Sequence, residues 1–251
     1  MLFALGSQMP VAIGSIKIQT SRVDQAVISA SPETLLGHLT EAERKNAPGI
    51  LFYQGDGSLF RAAPRVAIVG SRKASQEGLR RAAKLARALA KHGVIVVSGM
   101  AEGIDTAAHR AAMDAGGRTI AVLGSPLSTP YPAANRELFR TIIAAHLAVS
   151  QFRDGQPIQP QNFPIRNRTM ALITHATVIV EAAEKSGTMH QAWEALRLGR
   201  PLFLLDSVAN DHSLTWPSEV RKYGAQILAE SNFEAMVDHL PAGELEEAVA
   251  F

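Results

Sequence analysis

The chain has 251 residues, 47% of them hydrophobic, with 25 Lys and Arg against 23 Asp and Glu, so it can bury a full core and its net charge does not by itself announce a polyanion ligand. The absence of cysteine excludes disulfides and thiolate metal sites and fits a reducing compartment. No stretch reaches the ~20 apolar residues of a membrane-spanning helix, and residues 1–18 lack a basic segment ahead of their apolar run, so a cytoplasmic protein without a membrane partner is expected.

Residues 1–47 read as a partly helical N-terminal extension to a main domain spanning 48–251. In the extension, Ser31-Pro32-Glu33-Thr34 has the form of a helix start, with Ser31 as N-cap and Pro32 at the first helical position. Residues 49–56 predict a short strand closed by a Gly-Asp-Gly turn. Residues 65–69 predict a buried strand that runs straight into Gly70-Ser71-Arg72. An amphipathic helix over 76–92 follows, stopped by Gly93, with Arg80, Lys84, Arg87 and Lys91 on its solvated face. Strands are then expected over 94–97, 119–123, 147–149, 177–180 and 201–205, with a short one near 224–228. Helices are expected between Asp105 and Gly116, and over 138–146, 165–175 and 187–198. The three-proline segment 151–164 predicts a loop that covers something. A weak amphipathic tail over 233–240 and a frayed acidic end at 244–247 close the chain. Continuous apolar strands alternating with helices imply an α/β, Rossmann-like, doubly wound and mainly parallel sheet.

In such sheets ligands bind beyond the carboxyl ends of the strands, where helix N-termini offer free N–H groups. Gly70-Ser71, Ser98-Gly99, Gly124-Ser125 and Ser186-Gly187-Thr188 all fall at strand-to-helix turns, which points to one crevice for an anionic, phosphate-bearing ligand. No turn matches G-x-G-x-x-G, and Lys185-Ser186-Gly187-Thr188 has a Walker-like ending in the wrong order, so no dinucleotide, ATP or other cofactor is expected. The cations of the crevice are Arg72 and, in Asn162-Phe163-Pro164-Ile165-Arg166-Asn167-Arg168, Arg166 and Arg168. Phe163 offers a ring on which a base could stack. Asp105 and His109 stand four residues apart on one helix, so their side chains can meet, either as an acid–base pair or as a structural hydrogen bond that scaffolds the site. Histidine spacing shows no metal motif, and no G-x-S-x-G elbow seats a nucleophile.

Seven blocks in order then mark a resemblance: Pro48 to Asp56; Val66 to Arg72; Ser98-Gly99-x-Ala101-x-Gly103-Ile104-Asp105 with His109; Ala121 to Gly124; Tyr131-Pro132 with Asn135; Phe163-Pro164-x-Arg166-Asn167-Arg168; and Glu181-Ala182-Ala183 with Ser186-Gly187. The chain resembles the bacterial DNA-processing protein A family, also called Smf, over residues 48 to about 206. The resemblance implies an extended Rossmann fold that binds single-stranded DNA, forms a homodimer, and hands the strand to the recombinase RecA in natural transformation, without being an enzyme. With the glycine turns, it assigns DNA or phosphate contact to Gly70, Ser71, Arg72, Ser98, Gly99 and Gly103, to Asn162, Phe163, Arg166, Asn167 and Arg168, and to Ser186, Gly187 and Thr188. Asp105, His109 and Glu181 are the expected scaffold. A lysine that family members often carry ahead of the Phe-Pro-x-Arg-Asn-Arg run is missing, Pro160 standing in the comparable place. The competing reading is a nucleotide-binding enzyme or sensor of the same superfamily, similar to nucleoside-monophosphate phosphoribohydrolases; the carboxylates that follow the glycine turn in those enzymes are absent after Thr188.

Overall fold

A computed structural model describes residues 26–184 and 186–241. Residues 1–25 of the N-terminal extension, Lys185 and the acidic end at 244–247 lie outside the described residues. The elements in chain order are β1 (Ile28–Ala30), α1 (Pro32–Leu36), α2 (Glu41–Asn46), β2 (Leu51–Gly55), β3 (Arg65–Gly70), α3 (Gln76–Lys91), β4 (Ile95–Ser98), α4 (Ile104–Asp114), β5 (Thr119–Leu123), α5 (Arg136–Ala145), β6 (Leu147–Ser150), α6 (Asn162–Ile173), β7 (Ala176–Glu181), α7 (Gly187–Arg197), β8 (Leu202–Leu205), α8 (Asp206–Ala209), α9 (Trp216–Lys222), β9 (Gln226–Leu228) and α10 (Phe233–Asp238).

The strands form one nine-stranded sheet in the order β1-β2-β6-β5-β4-β3-β7-β8-β9. From β6 to β9 every neighbouring pair is parallel, while β2 runs antiparallel to β6 and β1 antiparallel to β2. The expected mainly parallel, doubly wound sheet is therefore present. Alternation along the strands sorts the core into two layers. Val66 and Ile68 of β3 pack with Ala82, Leu89, Ile104 and Ala108 of α3 and α4, whereas Ala67 and Val69 face Met170 of α6, Ala192 of α7 and Trp216 of α9. Winding proceeds outward from β3 through β4 and β5 to β6, and then α6 carries the chain back to β7 on the other flank of β3. The two halves of the sheet thus diverge between β3 and β7, the switch point at which open α/β sheets hold ligands.

Local chemistry sets the ends. Ser75 caps α3 by accepting the Gly78 N–H at 2.9 Å, and Gly93, at φ +71°, ends it. Ser31 caps α1 as expected. Two differences from the sequence reading matter. Helix α6 begins at Asn162 rather than Ile165, because Pro164 sits in its first turn, where the missing N–H has no intrahelical partner to lose. The extension also contributes β1 to the sheet, and its α2 is closed by a capping box between Thr40 and Glu43.

Candidate functional site

At the switch point the chain leaves β3 through Gly70, Ser71 and Arg72 and leaves β7 toward α7. Between them opens a cavity of about 530 Å³, walled by Val69 to Lys73 on one side, Ser186, Gly187, Thr188 and Gln191 on the other, and α6 residues Phe163, Arg166 and Asn167 between. A second hollow of about 200 Å³ lies beside it, reaching Gly99, Tyr131 and Pro132. Arg72, Lys73, Phe163 and Arg166 line both. The ridge between the hollows is a cation on a ring: the Arg72 guanidinium carbon stands 4.9 Å from the Phe163 centroid. Tyr131, 45% exposed, extends the aromatic surface at 5.7 Å from Phe163. Phe163 reaches this position because Gly124 lies against it; a Cβ there would sit 2.8 Å from the ring.

The turn after β3 is held from below. Ser71 donates its N–H to the Glu181 carbonyl at 2.9 Å and accepts the Ile104 N–H at 3.2 Å. Gly103, at φ +77°, permits that approach, since a Cβ would meet the Ser71 carbonyl oxygen at 2.4 Å. The Glu181 carboxylate accepts the Ser75 N–H at 2.9 Å and the Ser75 hydroxyl, fixing the start of α3. Arg72 and Lys73 are exposed and unpaired with any carboxylate among the described residues, so their charge faces outward.

Arg166 is different. It is 6% exposed; its Nη1 donates to the carbonyls of Gly99 and, at 2.9 Å, Val122, and its Nε donates to Asn167 Oδ1 at 3.0 Å. The guanidinium forms the floor rather than the rim. Asp105 balances it: one oxygen accepts the N–H groups of Gly99 at 3.1 Å and Ala101 at 3.2 Å. Burial pushes the Asp105 carboxyl above its usual range, while Arg166 and the N–H donors pull it back. Asn167 donates to the Gly187 carbonyl at 3.2 Å, linking α6 to α7.

The structure thus gathers Gly70, Ser71, Arg72, Phe163, Arg166, Asn167, Ser186, Gly187, Thr188 and Asp105 around the larger cavity, with Gly99 in the smaller. It does not bring Arg168 there: that side chain turns to Glu194 of α7 at 3.4 Å. Ser98 is buried and donates to the Ile68 carbonyl at 2.6 Å, Asn162 donates to the Pro157 carbonyl at 3.3 Å, and Gly103 and Glu181 act beneath the turn. Asp105 and His109 form no hydrogen bond with each other, because the Gly99 and Ala101 N–H groups and the Thr119 hydroxyl are the nearer partners. Of the segment 151–164, Phe163 and Pro164, which fall in the first turn of α6, line the larger cavity, whereas residues 151–161 line neither hollow. Sequence reasoning missed Lys73, Tyr131 and Gln191. The first was legible as a second cation directly after Arg72; Gln191 carried no signal, since it looks like a polar outer-face residue of α7.

The sequence model of the family described as DNA recombination-mediator protein A matches residues 32–240. The chain belongs to that family. DNA processing protein DprA of Streptococcus pneumoniae is 36% identical over 199 residues, 76% of this chain and 70% of that protein. Protein Smf of Synechocystis is 35% identical over 197 residues, and there the match spans 76% of this chain but only 48% of the relative. Among solved structures, DprA from Streptococcus pneumoniae superposes with a TM-score of 0.72 at 31% identity, covering 86% of this chain and 75% of that one. DNA processing protein A from Helicobacter pylori, described for its single-stranded DNA binding mode, gives 0.72 at 27% identity and covers 85% of this chain and 97% of its own. The fold alone is shared with a molybdenum cofactor binding protein from Rippkaea orientalis, at TM-score 0.52 and 18% identity over 70% of this chain and 95% of that one.

Proposed function

We propose that this family member binds single-stranded DNA across the two hollows. The observation that carries the reading is the ridge itself: Arg72 and Lys73, unpaired with any carboxylate among the described residues, at the rim of the switch-point crevice, with the Arg72 guanidinium carbon over the Phe163 ring at 4.9 Å from its centroid. Flat cationic and aromatic surfaces stack bases of any kind, and unpaired cations beside them take phosphates. Lys73 gives the rim a second positive charge. Support also comes from the Helicobacter pylori protein, whose single-strand binding mode is the subject of its structure. In the same reading the protein is a cytoplasmic homodimer that passes its strand to the recombinase RecA during natural transformation, as a mediator rather than an enzyme.

Gel shifts with single-stranded, double-stranded and mononucleotide competitors test the core of the proposal; preference for the single strand is expected. Two variants separate the parts of the ridge. Arg72→Ala should flatten the slope of log affinity against log salt by about 0.7, the contribution of one phosphate on a single strand. Phe163→Ala should weaken binding by roughly 5- to 150-fold, from ~1 to 3 kcal/mol of lost stacking, and leave that slope unchanged. Equal affinity of both variants with the parent protein would remove the ridge from the binding surface. Faster RecA filament assembly on precoated strand is the expected result for the hand-off, and light scattering reads the dimer.

A further inference from the structure

The far wall of the larger cavity contains a buried polar group that the fold leaves unanswered. Gln191 is 1% exposed, lines the cavity, and has neither its amide nitrogen nor its amide oxygen in a hydrogen bond among the described residues. Buried carboxamides in native structures are nearly always paired, so an orphaned one facing a cavity calls for a partner from outside. The neighbouring polar walls differ: Asp105, Arg166 and Asn167 are all engaged with backbone or with each other. Gln191 stands four residues after Gly187, on the same face of α7, and helical side chains lean toward the helix N-terminus. The carboxamide therefore belongs to the same mouth as Ser186, whose hydroxyl is also buried without a partner among the described residues and makes no capping bond to α7.

The chemistry of the ligand follows from the pair of orphaned atoms. A phosphate could satisfy the donor half of a carboxamide and would leave its oxygen unpaired. The edge of a nucleobase sets a donor and an acceptor side by side and answers both, as glutamine does with adenine. Val69, Met170 and Ala183 in the same cavity give the flat faces of such a ring an apolar lining. We propose that the Gln191 carboxamide reads the edge of one nucleobase lodged in this cavity, so that the site holds a base there as well as phosphates at its rim. This rests on the single-strand reading for its source, since the same edge could also arrive on a free mononucleotide.

The test compares a thymidine 20-mer, a fully abasic 20-mer of equal charge, and thymidine 5′-monophosphate, on the 251-residue protein and on Gln191→Met, which keeps the side chain's length and removes both polar atoms. The parent protein should prefer the thymidine strand to the abasic one by at least about tenfold. Gln191→Met should bind the thymidine strand roughly tenfold more weakly, for two lost hydrogen bonds, with the abasic affinity and the salt slope unchanged. The same variant without ligand should melt at an equal or higher temperature, because replacing an unpaired buried amide by an apolar group removes a destabilising burial. A lower melting temperature would show that the amide serves the fold and overturn the inference, as would equal losses on both strands or no loss on either. Binding of the monophosphate that depends on Gln191, with no binding of either strand, would defeat the single-strand reading and keep the base site. Failure of all three ligands overturns both.

Discussion

Arg166→Ala should destabilise the protein by about 3–5 kcal/mol, read as a lowered urea midpoint, before any effect on a ligand is considered. The side chain is a buried cation whose two carbonyl partners sit at the ends of β4 and β5, Gly99 and Val122, and whose Nε reaches Asn167 on α6. Its removal leaves those carbonyls unpaired and Asp105 buried without its counter-charge. Breaking a buried pair from one side carries a penalty of that size because the remaining charge is uncompensated. Arg166→Lys should recover only part of the loss: a single ammonium keeps the charge for Asp105 but cannot span both carbonyls and Asn167 as a planar fork does. A midpoint unchanged in Arg166→Ala would show that the guanidinium is not structural and return it to the set of direct phosphate ligands. With the expected result, the weak strand binding of an Arg166 variant reports a collapsed floor, and only Arg72 and Lys73 remain as tests of phosphate contact.

Arg166 also shows where sequence reading stops. Arginine after Phe163-Pro164 beside a glycine-rich crevice suggests a phosphate ligand, and nothing in the local pattern says whether its fork turns outward or onto carbonyls. That choice depends on the carboxyl ends of β4 and β5 converging under α6, a non-local fact. The same holds for Asp105 and His109: helical spacing allows them to meet, but the N–H groups of the loop before α4 and the Thr119 hydroxyl on β5 are better placed. By contrast the strand at 65–69, the helix at 76–92 and the glycine turns were legible because each is written in consecutive residues. Buried strands are unbroken apolar runs, α3 has one clear apolar stripe, and Gly93 ends it. Short elements such as β1, α2 and α9 were not legible, since three to seven residues hold too few turns of any period and their stability comes from the surfaces they meet. Gln191 reads as polar and therefore outward; only the cavity beside α7 makes its burial informative.

His109 carries the second large expectation, a loss of stability in mild acid. Its ring is fully buried, and Nδ1 lies 2.7 Å from the Thr119 hydroxyl oxygen. That hydroxyl donates to the Val96 carbonyl at 2.7 Å, so its proton is committed and the imidazole must donate from Nδ1, as a neutral ring does. Burial, with His146 and Arg166 nearby as like charges, lowers the His109 pKa from 6.5 to about 3. The folded pKa lies below the unfolded one. Above pH 6.5 both states are neutral and nothing is lost; between 6.5 and 3 the unfolded chain takes up the proton and the folded protein does not. Stability therefore falls with pH across that window, by up to tenfold in the folding equilibrium per pH unit and on the order of 4 kcal/mol in all. Asp105, raised by burial, works the other way, since the folded state binds its proton first. Comparing the parent protein with His109→Leu in urea at several pH values isolates the imidazole, because the Asp105 contribution is common to both. The variant should track the parent near pH 7 apart from a constant offset and gain on it steadily below pH 6.5. Parallel curves down to pH 4 would mean that His109 titrates alike in both states, and the buried neutral ring beneath the binding crevice would have to be abandoned.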